Sequence, residues 1–325
     1  MQILVVGGAG YIGSHMVKML SAEGHDVITF DNLVAGFRDA VIDGRFSAGD
    51  LNNPHAIEQV FVDNDIDAVM HFASHIQVGE SIVDPAKYYE NNVSNTLNLL
   101  NAMVKHDVLK FIFSSTAAIF GEPEYVPIDE EHPKQPINPY GMSKLMIEHI
   151  LRDFDRAYGF KSVCLRYFNA AGADPDGELG ERHQPETHLI PLILQAASGR
   201  RDSIKVFGTD YNTPDGTCIR DYIHIVDLCQ AHYLALEQLF DGADSMAFNL
   251  GNGNGCSINE VVAMVKQVTG RDFKVEPEER RVGDPASLVA DSTAARAELN
   301  WKPIYADLES IVQHAWNWEV SHFKQ

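Results

Sequence analysis

The run Ile3-Leu4-Val5-Val6-Gly7-Gly8-Ala9-Gly10-Tyr11-Ile12-Gly13 decides the fold. Four apolar residues rich in β-branching read as a strand, glycines follow at once, and a helical pattern opens at Tyr11. Gly7 allows the tight turn, Gly10 lets a diphosphate approach the backbone, and Gly13 lets the helix pack closely. The helix then faces the phosphates with its free N–H groups. A lone glycine pattern is weak evidence. This one has the strand–loop–helix setting that a dinucleotide loop needs.

The next expected strand ends at Asp31, in Val27-Ile28-Thr29-Phe30-Asp31-Asn32. A carboxylate there accepts hydrogen bonds from the adenosine ribose and repels a 2′-phosphate, which selects NAD over NADP. Arg38 is the nearest base, but Asp31 is better placed. After the third expected strand, Asp50 in Gly49-Asp50-Leu51 reads equally as a turn former or as a contact to the adenine edge.

Working outward, the first half alternates short β-branched runs with helical patterns, so the class is α/β with a parallel sheet. Strands are expected at residues 3–6, 27–30, 45–48, 68–72, 111–114 and 162–166, and helices start near Tyr11, Pro54, Tyr88 and Tyr140. The Tyr88 helix carries Val93, Leu97, Leu100 and Val104 at helical spacing; the Tyr140 helix carries Ile147, Ile150, Leu151, Phe154 and Tyr158. Both stripes read first as core. Together these features predict a Rossmann-type doubly wound sheet over residues 1–172, rejoined by a strand near 246–250, and a smaller mixed α/β domain over 173–325. Residues 174–186, rich in Asp, Glu, Gly and Pro, read as a long surface loop. Helices are expected near residues 188–198, 227–240, 257–269 and 308–322, and Ser257 with Glu260 fits a capping box.

The 325 residues carry 46 acidic against 25 basic side chains, a formal charge of −21. That balance argues against nucleic-acid backbones and anionic membrane surfaces as partners. Cys164, Cys218, Cys229 and Cys256 are scattered with no Cys-x-x-Cys pair, which predicts reduced thiols in a cytoplasmic protein. No leader or membrane-spanning run is expected, since Met1 leads straight into the first strand and no long apolar stretch occurs.

Tyr140 and Lys144 lie one helical turn apart and share a face. A free tyrosine has a pKa of about 10. An ammonium roughly 5 Å away, at an effective dielectric of about 20, favours the phenolate by about 3 kcal/mol. Tyr140 is thus expected to act as a general base near neutral pH, with Lys144 also free to hold the nicotinamide ribose. Ser114-Ser115-Thr116 closes the preceding strand, and Thr116 is placed to bond a substrate oxygen as its proton leaves. Together they describe hydride chemistry on an alcohol. No metal site is expected: His71 and His75 fall at a strand end and no His-Glu-x-x-His occurs. There is no Gly-x-Ser-x-Gly elbow, and the glycine-rich residues 252–255 lack a P-loop ending.

With these residues in view, the chain resembles the extended short-chain dehydrogenase/reductase superfamily and, within it, the UDP-glucose 4-epimerases. The resemblance rests on VGGAGYIGSH (6–15), HFASHIQVGES (71–81), Asn91-Asn92-Val93, FIFSST (111–116), PYGMSKL (139–145), LRYFN (165–169), RDYIHIV (220–226) and Asn249-Leu250-Gly251. It implies an NAD that stays bound, a base that takes the sugar O4 proton while the C4 hydride leaves, a 4-keto sugar that turns, and return of hydride to its opposite face. It implies Tyr140, Lys144 and Thr116 as the catalytic set. It implies a cofactor site of Gly7, Gly10, Tyr11, Ile12, Gly13, Asp31, Asn32, Asp50, Leu51, Phe72, Ala73, Asn91, Ser114, Tyr140, Lys144 and Tyr167. For the UDP-hexose it implies Thr116, Tyr140, Asn169, His188, Lys205, Val206, Phe207, Arg220, Arg281, Asp284 and Leu288. A homodimer through the Tyr88 and Tyr140 helices is a further family expectation.

Several positions depart from the family pattern. Ser74-His75-Ile76-Gln77 stands where several members have a lysine, and Phe120 replaces a tyrosine. His188 replaces an asparagine, and Leu288 has intermediate bulk at a position tied to N-acetyl acceptance. Ala117-Ala118 follows Thr116 where 4,6-dehydratases carry Asp-Glu, which favours epimerisation. UDP-N-acetylhexosamine, UDP-pentose and UDP-uronate epimerisation stay open, as does a non-catalytic NAD-sensing module.

Overall fold

The structure, a computed structural model, describes residues 1–281 and 283–323. The first strands in chain order are β1 (Gln2–Val6), β2 (Asp26–Asp31), β3 (Arg45–Ala48), β4 (Ala68–His71), β5 (Lys110–Thr116) and β6 (Lys161–Tyr167). Later come β7 (Asn169–Ala171), β8 (Ser203–Phe207), β9 (Ile219–Arg220), β10 (Tyr222–His224) and β11 (Met246–Leu250), then β12 (Cys256–Ser257), β13 (Lys274–Glu278) and β14 (Ser287–Leu288). The main sheet runs β11-β6-β5-β4-β1-β2-β3, with parallel pairing throughout. Its order reverses between β1 and β4, so a crevice opens at the carboxyl ends of those strands, the usual ligand site of such sheets.

The helices are α1 (Tyr11–Ala22), α2 (Pro54–Val62), α3 (Val78–Val83), α4 (Pro85–Tyr88), α5 (Asn95–Lys105), α6 (Pro139–Tyr158) and α7 (Leu189–Ala197). They continue with α8 (Ile225–Phe240), α9 (Ile258–Thr269), α10 (Thr293–Glu298) and α11 (Leu308–His322). The apolar runs of β1 and β4 demand cover on both faces. Met16 and Leu20 of α1 with Leu228 and Ala235 of α8 cover one face. Ile57 and Phe61 of α2, Leu99 and Met103 of α5, and Ile147 and Leu151 of α6 cover the other. A separate core joins α7, α9 and α11 through Ile193, Val265 and Val312. Ser257 and Glu260 form the expected capping box at α9. Among the described residues no helix is long and apolar enough to cross a membrane.

Three expectations change. The division at residue 172 is too simple, because α8 and the Trp301 segment return to the first core along with the strand β11. Helix α8 and the fully buried Trp301 lie against the main sheet, and the Trp301 indole N–H donates to Asp227 O at 2.9 Å. The stretch 174–186 is no simple surface loop: Asp174, Leu179 and Glu181 are buried. Its acidic residues meet Lys18 of α1, at 2.7 Å from Asp174 and 2.8 Å from Glu178. Composition reported polarity, but a partner on α1 absorbs the charge. The helix expected to start at Tyr88 is interrupted by a π-turn at Tyr89–Ser94, which rotates the buried face onto Leu99, Leu100 and Met103. Tyr158 likewise falls outside its stripe and is exposed.

Trp301→Ala is expected to cost about 3–5 kcal/mol, the range for removing a buried Trp or Phe from a core. Calorimetry on the whole chain measures it. A loss below about 1 kcal/mol would show that the segment around Trp301 is peripheral to the first domain.

Candidate functional site

The glycine loop is closed on itself by contacts that admit no side chain. Gly7 has φ +80°, and a Cβ there would lie 2.5 Å from Ala73 N. A Cβ on Gly13 would lie 2.1 Å from Gly7 O, so the helix packs where only glycine fits. Gly10 differs: its Cβ would meet only Gly7 O, at 3.4 Å. The chain's own packing does not demand glycine there, which leaves space for a ligand. Gly10 caps α1 without any side-chain cap bond, so the first-turn N–H groups are free to meet an anion.

Asp31 sits beside this loop. Its carboxylate accepts from Ala9 N at 3.0 Å and Leu33 N at 2.8 Å. Burial pushes its pKa up while the backbone N–H groups oppose that shift. Asn32 donates to Asp50 at 2.7 Å, and Asp50 also accepts from Asn52 N at 2.9 Å. Asp50 is therefore both a turn former and a polar neighbour at the ends of β2 and β3. Tyr11 donates its hydroxyl to Gly172 O at 2.8 Å, while Ile12 packs into the sheet core. Phe72 N donates to Val6 O at 2.8 Å, placing Phe72 and Ala73 directly behind Gly7. Leu51 is buried in the core under the sheet. These residues gather around the glycine loop at the carboxyl ends of β1, β2 and β4.

The hydroxyls ending β5 each take a different partner. Ser114 and the Tyr167 hydroxyl lie 2.5 Å apart. Ser115 donates to Glu148 at 2.6 Å, and Glu148 is also held by a buried Arg166 at 2.7 Å. Thr116 accepts from Ala118 N at 3.1 Å, and its hydroxyl is near enough to the Tyr140 phenol to hold its pKa down. Helix α6 starts here because Asn138 caps it, accepting from Gly141 N at 2.8 Å, with Pro139 in the first turn. A Cβ on Gly141 would lie 2.3 Å from Ala118 O, so glycine brings Tyr140 against the end of β5. Lys144 donates to Ser114 O at 2.8 Å and lies 4.9 Å from the Phe113 ring centroid.

The electrostatics correct one expectation. In the protein alone Tyr140 is raised, not lowered: burial dominates, and only the Thr116 hydroxyl opposes it. Lys144 is itself lowered to about 7 by burial. Burial in the protein alone thus opposes the ionised forms of both Tyr140 and Lys144. Both groups wait for added charge.

The π-turn has a local role. The Asn92 amide accepts from His75 N at 2.9 Å and donates to His75 O at 3.0 Å and to Ser143 at 3.1 Å. It thereby ties the loop after β4 to α6, with Asn91 donating to it at 2.9 Å. His71 is buried, bonded to Thr96 at 2.9 Å and lowered to about 3 by burial and the nearby Lys144.

On the substrate side, Asn169 donates to Asp221 O at 2.8 Å. Arg220 pairs with Asp284, and the Arg281 guanidinium lies over the Phe207 ring at 3.9 Å. Leu288 pairs beside Arg220 and packs against the cluster that contains Ala117, Phe120 and Leu145. Lys205 is exposed and pairs with Glu278 at 2.7 Å, on the same strand face as Phe207, while the Val206 side chain is buried on the other face. His188 meets Glu181 and Glu186 at 2.8 and 3.0 Å. Sequence reasoning missed Asn92, Glu148, Glu181, His183 and Glu186. Only the spacing Glu181-x-His183-x-x-Glu186-x-His188 carried a signal, and it resembles no common motif.

Residues 3–251 match the NAD dependent epimerase/dehydratase family. A UDP-glucose 4-epimerase of Halalkalibacterium halodurans is 52% identical over 322 residues, covering 99% of this chain and 96% of the relative. The crystal structure of UDP-glucose 4-epimerase from Brucella ovis in complex with NAD is similar at TM-score 0.95 and 48% identity, covering 99% of this chain and 98% of that one. The enzyme from Bifidobacterium longum in complex with NAD+ and UDP gives TM-score 0.93 and 38% identity over 99% and 98% of the two chains.

Two glycine substitutions separate packing from ligand space. Gly10→Ala is expected to keep the wild-type melting temperature yet lose bound dinucleotide, quantified after acid release. Gly13→Ala is expected to lose both. Full retention of dinucleotide by Gly10→Ala would remove the pocket assignment.

Proposed function

The chain belongs to the NAD dependent epimerase/dehydratase family, and from that premise we propose that it interconverts UDP-galactose and UDP-glucose by inversion at C4. It is an isomerase with NAD as its cofactor, as in its relatives. The observation that carries the reading is the meeting of Tyr140, Thr116 and Lys144 at the end of β5, beside a glycine loop with ligand space at Gly10.

Bound NAD supplies a reversible acceptor for the C4 hydride. Tyr140 takes the O4 proton and later returns it. Thr116, close to the same phenolic oxygen, aligns O4 with it. Lys144 is anchored on Ser114 O and keeps further N–H donors for ribose hydroxyls. Charge brought in with the oxidised ring favours the phenolate that burial otherwise opposes. The 4-keto sugar turns about its link to the diphosphate, so that hydride and proton return to the other face.

Arg220 and Arg281 are proposed to hold the diphosphate, since a planar guanidinium can bind two oxygens at once. Asp284 orients Arg220. Phe207 and the backbone of Lys205 and Val206 are proposed to line the uracil, with Asn169 and His188 nearer the sugar. Leu288, packed against the cluster that contains Phe120, bounds the sugar pocket. A homodimer through α5 and α6 is supported by Met142 and Met146, exposed one turn apart beside the half-buried Ile150, Val93 and Leu97. Four free cysteines suit a reducing cytoplasm.

Two outcomes test this reading. UDP-galactose is expected to yield UDP-glucose without added NAD and without release of NADH, while Tyr140→Phe slows turnover by about 10²-fold or more, as befits loss of a general base, and keeps its NAD. UDP-N-acetylgalactosamine and UDP-galacturonate run in parallel define the sugar range; dinucleotide binding with no turnover on any of them would make the chain a sensor. Light scattering is expected to show a dimer that Met142→Asp with Met146→Asp converts to monomer; an unchanged mass would move the interface elsewhere.

A further inference from the structure

One cluster meets the proposed substrate site only through His188 and is otherwise unused by it. Glu181, His183, Glu186 and His188 each present one ligand atom, and the four atoms lie within 4.8 Å of one another. His188 Nδ1 is 2.8 Å from a Glu181 oxygen and 3.0 Å from a Glu186 oxygen. His183 Nδ1 is 3.1 Å and 3.8 Å from the same two carboxylates. Both carboxylate side chains are about 6% exposed.

We propose that these four side chains form a binding site for one divalent transition metal of the zinc class. Four ligands about 2.0 Å from a tetrahedral ion are separated by about 3.3 Å. Glu181 Oε1 lies 2.8 and 3.1 Å from the two imidazole nitrogens, and Glu186 approaches them at 3.0 Å through one oxygen and 3.8 Å through the other. Two imidazoles and two carboxylates form a borderline donor set, which suits zinc better than magnesium or calcium.

The competing arrangement is two protonated histidines paired with two carboxylates. It explains the geometry less well. An imidazole Nδ1 carries one proton, yet His188 Nδ1 lies almost equally close to two carboxylates on different residues. One Glu181 oxygen also serves both rings. A central cation satisfies all four directions at once. The second layer is also built: Glu186 accepts from Thr187 N and His188 N, each at 2.8 Å, which fixes its carboxylate.

The ion would act as a clamp rather than as a reactant. Its ligands span residues 181–188, the chain between the stretch held by Lys18 and the first turn of α7. His183 packs edge-on to Tyr11, at 6.3 Å between ring centroids. Metal binding therefore fixes the segment that covers the glycine loop and also sets the position of His188.

The test uses the full chain with its cofactor, purified without a metal-chelating tag and dialysed against chelator. Zinc chloride titrated by calorimetry is expected to bind at one ion per chain and to raise the melting temperature. Glu186→Gln and His183→Ala are each expected to weaken zinc at least tenfold and to abolish that rise. His149→Ala, on the exposed face of α6, is expected to change neither. Circular dichroism confirms that each variant is folded, and Glu181→Gln replaces either that is not. Absence of a one-to-one site in the wild type, or equal zinc affinity in the folded variants, overturns the proposal and leaves an ion-pair cluster.

Discussion

The site depends on one buried contact, the Lys144 ammonium on the Ser114 carbonyl oxygen. No carboxylate is among the causes acting on Lys144, and burial alone carries its pKa down to about 7. Removing an ion from water costs several kcal/mol unless other charges repay it. Tyr140 sits in the same situation with the opposite sign, raised by burial. Each group in its ionised form is the charge the other lacks. Burial thus works against the ionised form of both groups. The enclosure that makes the pair reluctant also makes it responsive to a charged ligand, because a charge acts strongly where water does not screen it.

That contact is held by steric as much as by polar means. Gly141 lets α6 approach Ala118, Asn138 sets where the helix begins, and Asn92 reaches Ser143 from the π-turn. One turn past Lys144, Glu148 binds both Ser115 and Arg166. A helix registered at its start, middle and neighbouring loop has little freedom to slide. The strand end that carries Thr116 is fixed to the same helix, so the hydroxyl and the phenol move together or not at all.

The sequence made much of this legible, for physical reasons. A strand followed by Gly7, Gly10 and Gly13 has few alternatives, because Gly7 and Gly13 meet backbone at distances no side chain tolerates. Asp31 and the residues ending β5 were readable because strand ends at such a sheet face its crevice. The Tyr140 shift was not readable: helical spacing gives proximity to Lys144, but only the fold shows that both are buried. The π-turn escaped because the extra residue leaves local apolar spacing nearly intact while rotating everything after it. Residues 174–186 misled because carboxylates signal solvent until a lysine on another helix is found against them. The Glu148–Arg166 pair was not legible, since pairing across 18 residues leaves no local trace.

The return of the chain to the first core bears on how a sugar is turned. Asp221, next to Arg220, accepts from Asn252 N, Gly253 N and Ala290 N at 2.8, 3.0 and 3.1 Å. Burial raises this carboxyl to about 6, and the backbone N–H groups hold it down against that pressure. Through it the strand bearing Arg220 is fastened to the chain just beyond β11, the edge of the main sheet. Helix α8 then passes directly from β10 onto that sheet's face. A domain joined by one hinge could open to let a substrate reorient. Here the candidate diphosphate arginine and the candidate tyrosine base are joined in one continuous framework through Asp221, β11 and α8. On the function proposed above, the sugar would turn within that framework, about its bond to the diphosphate.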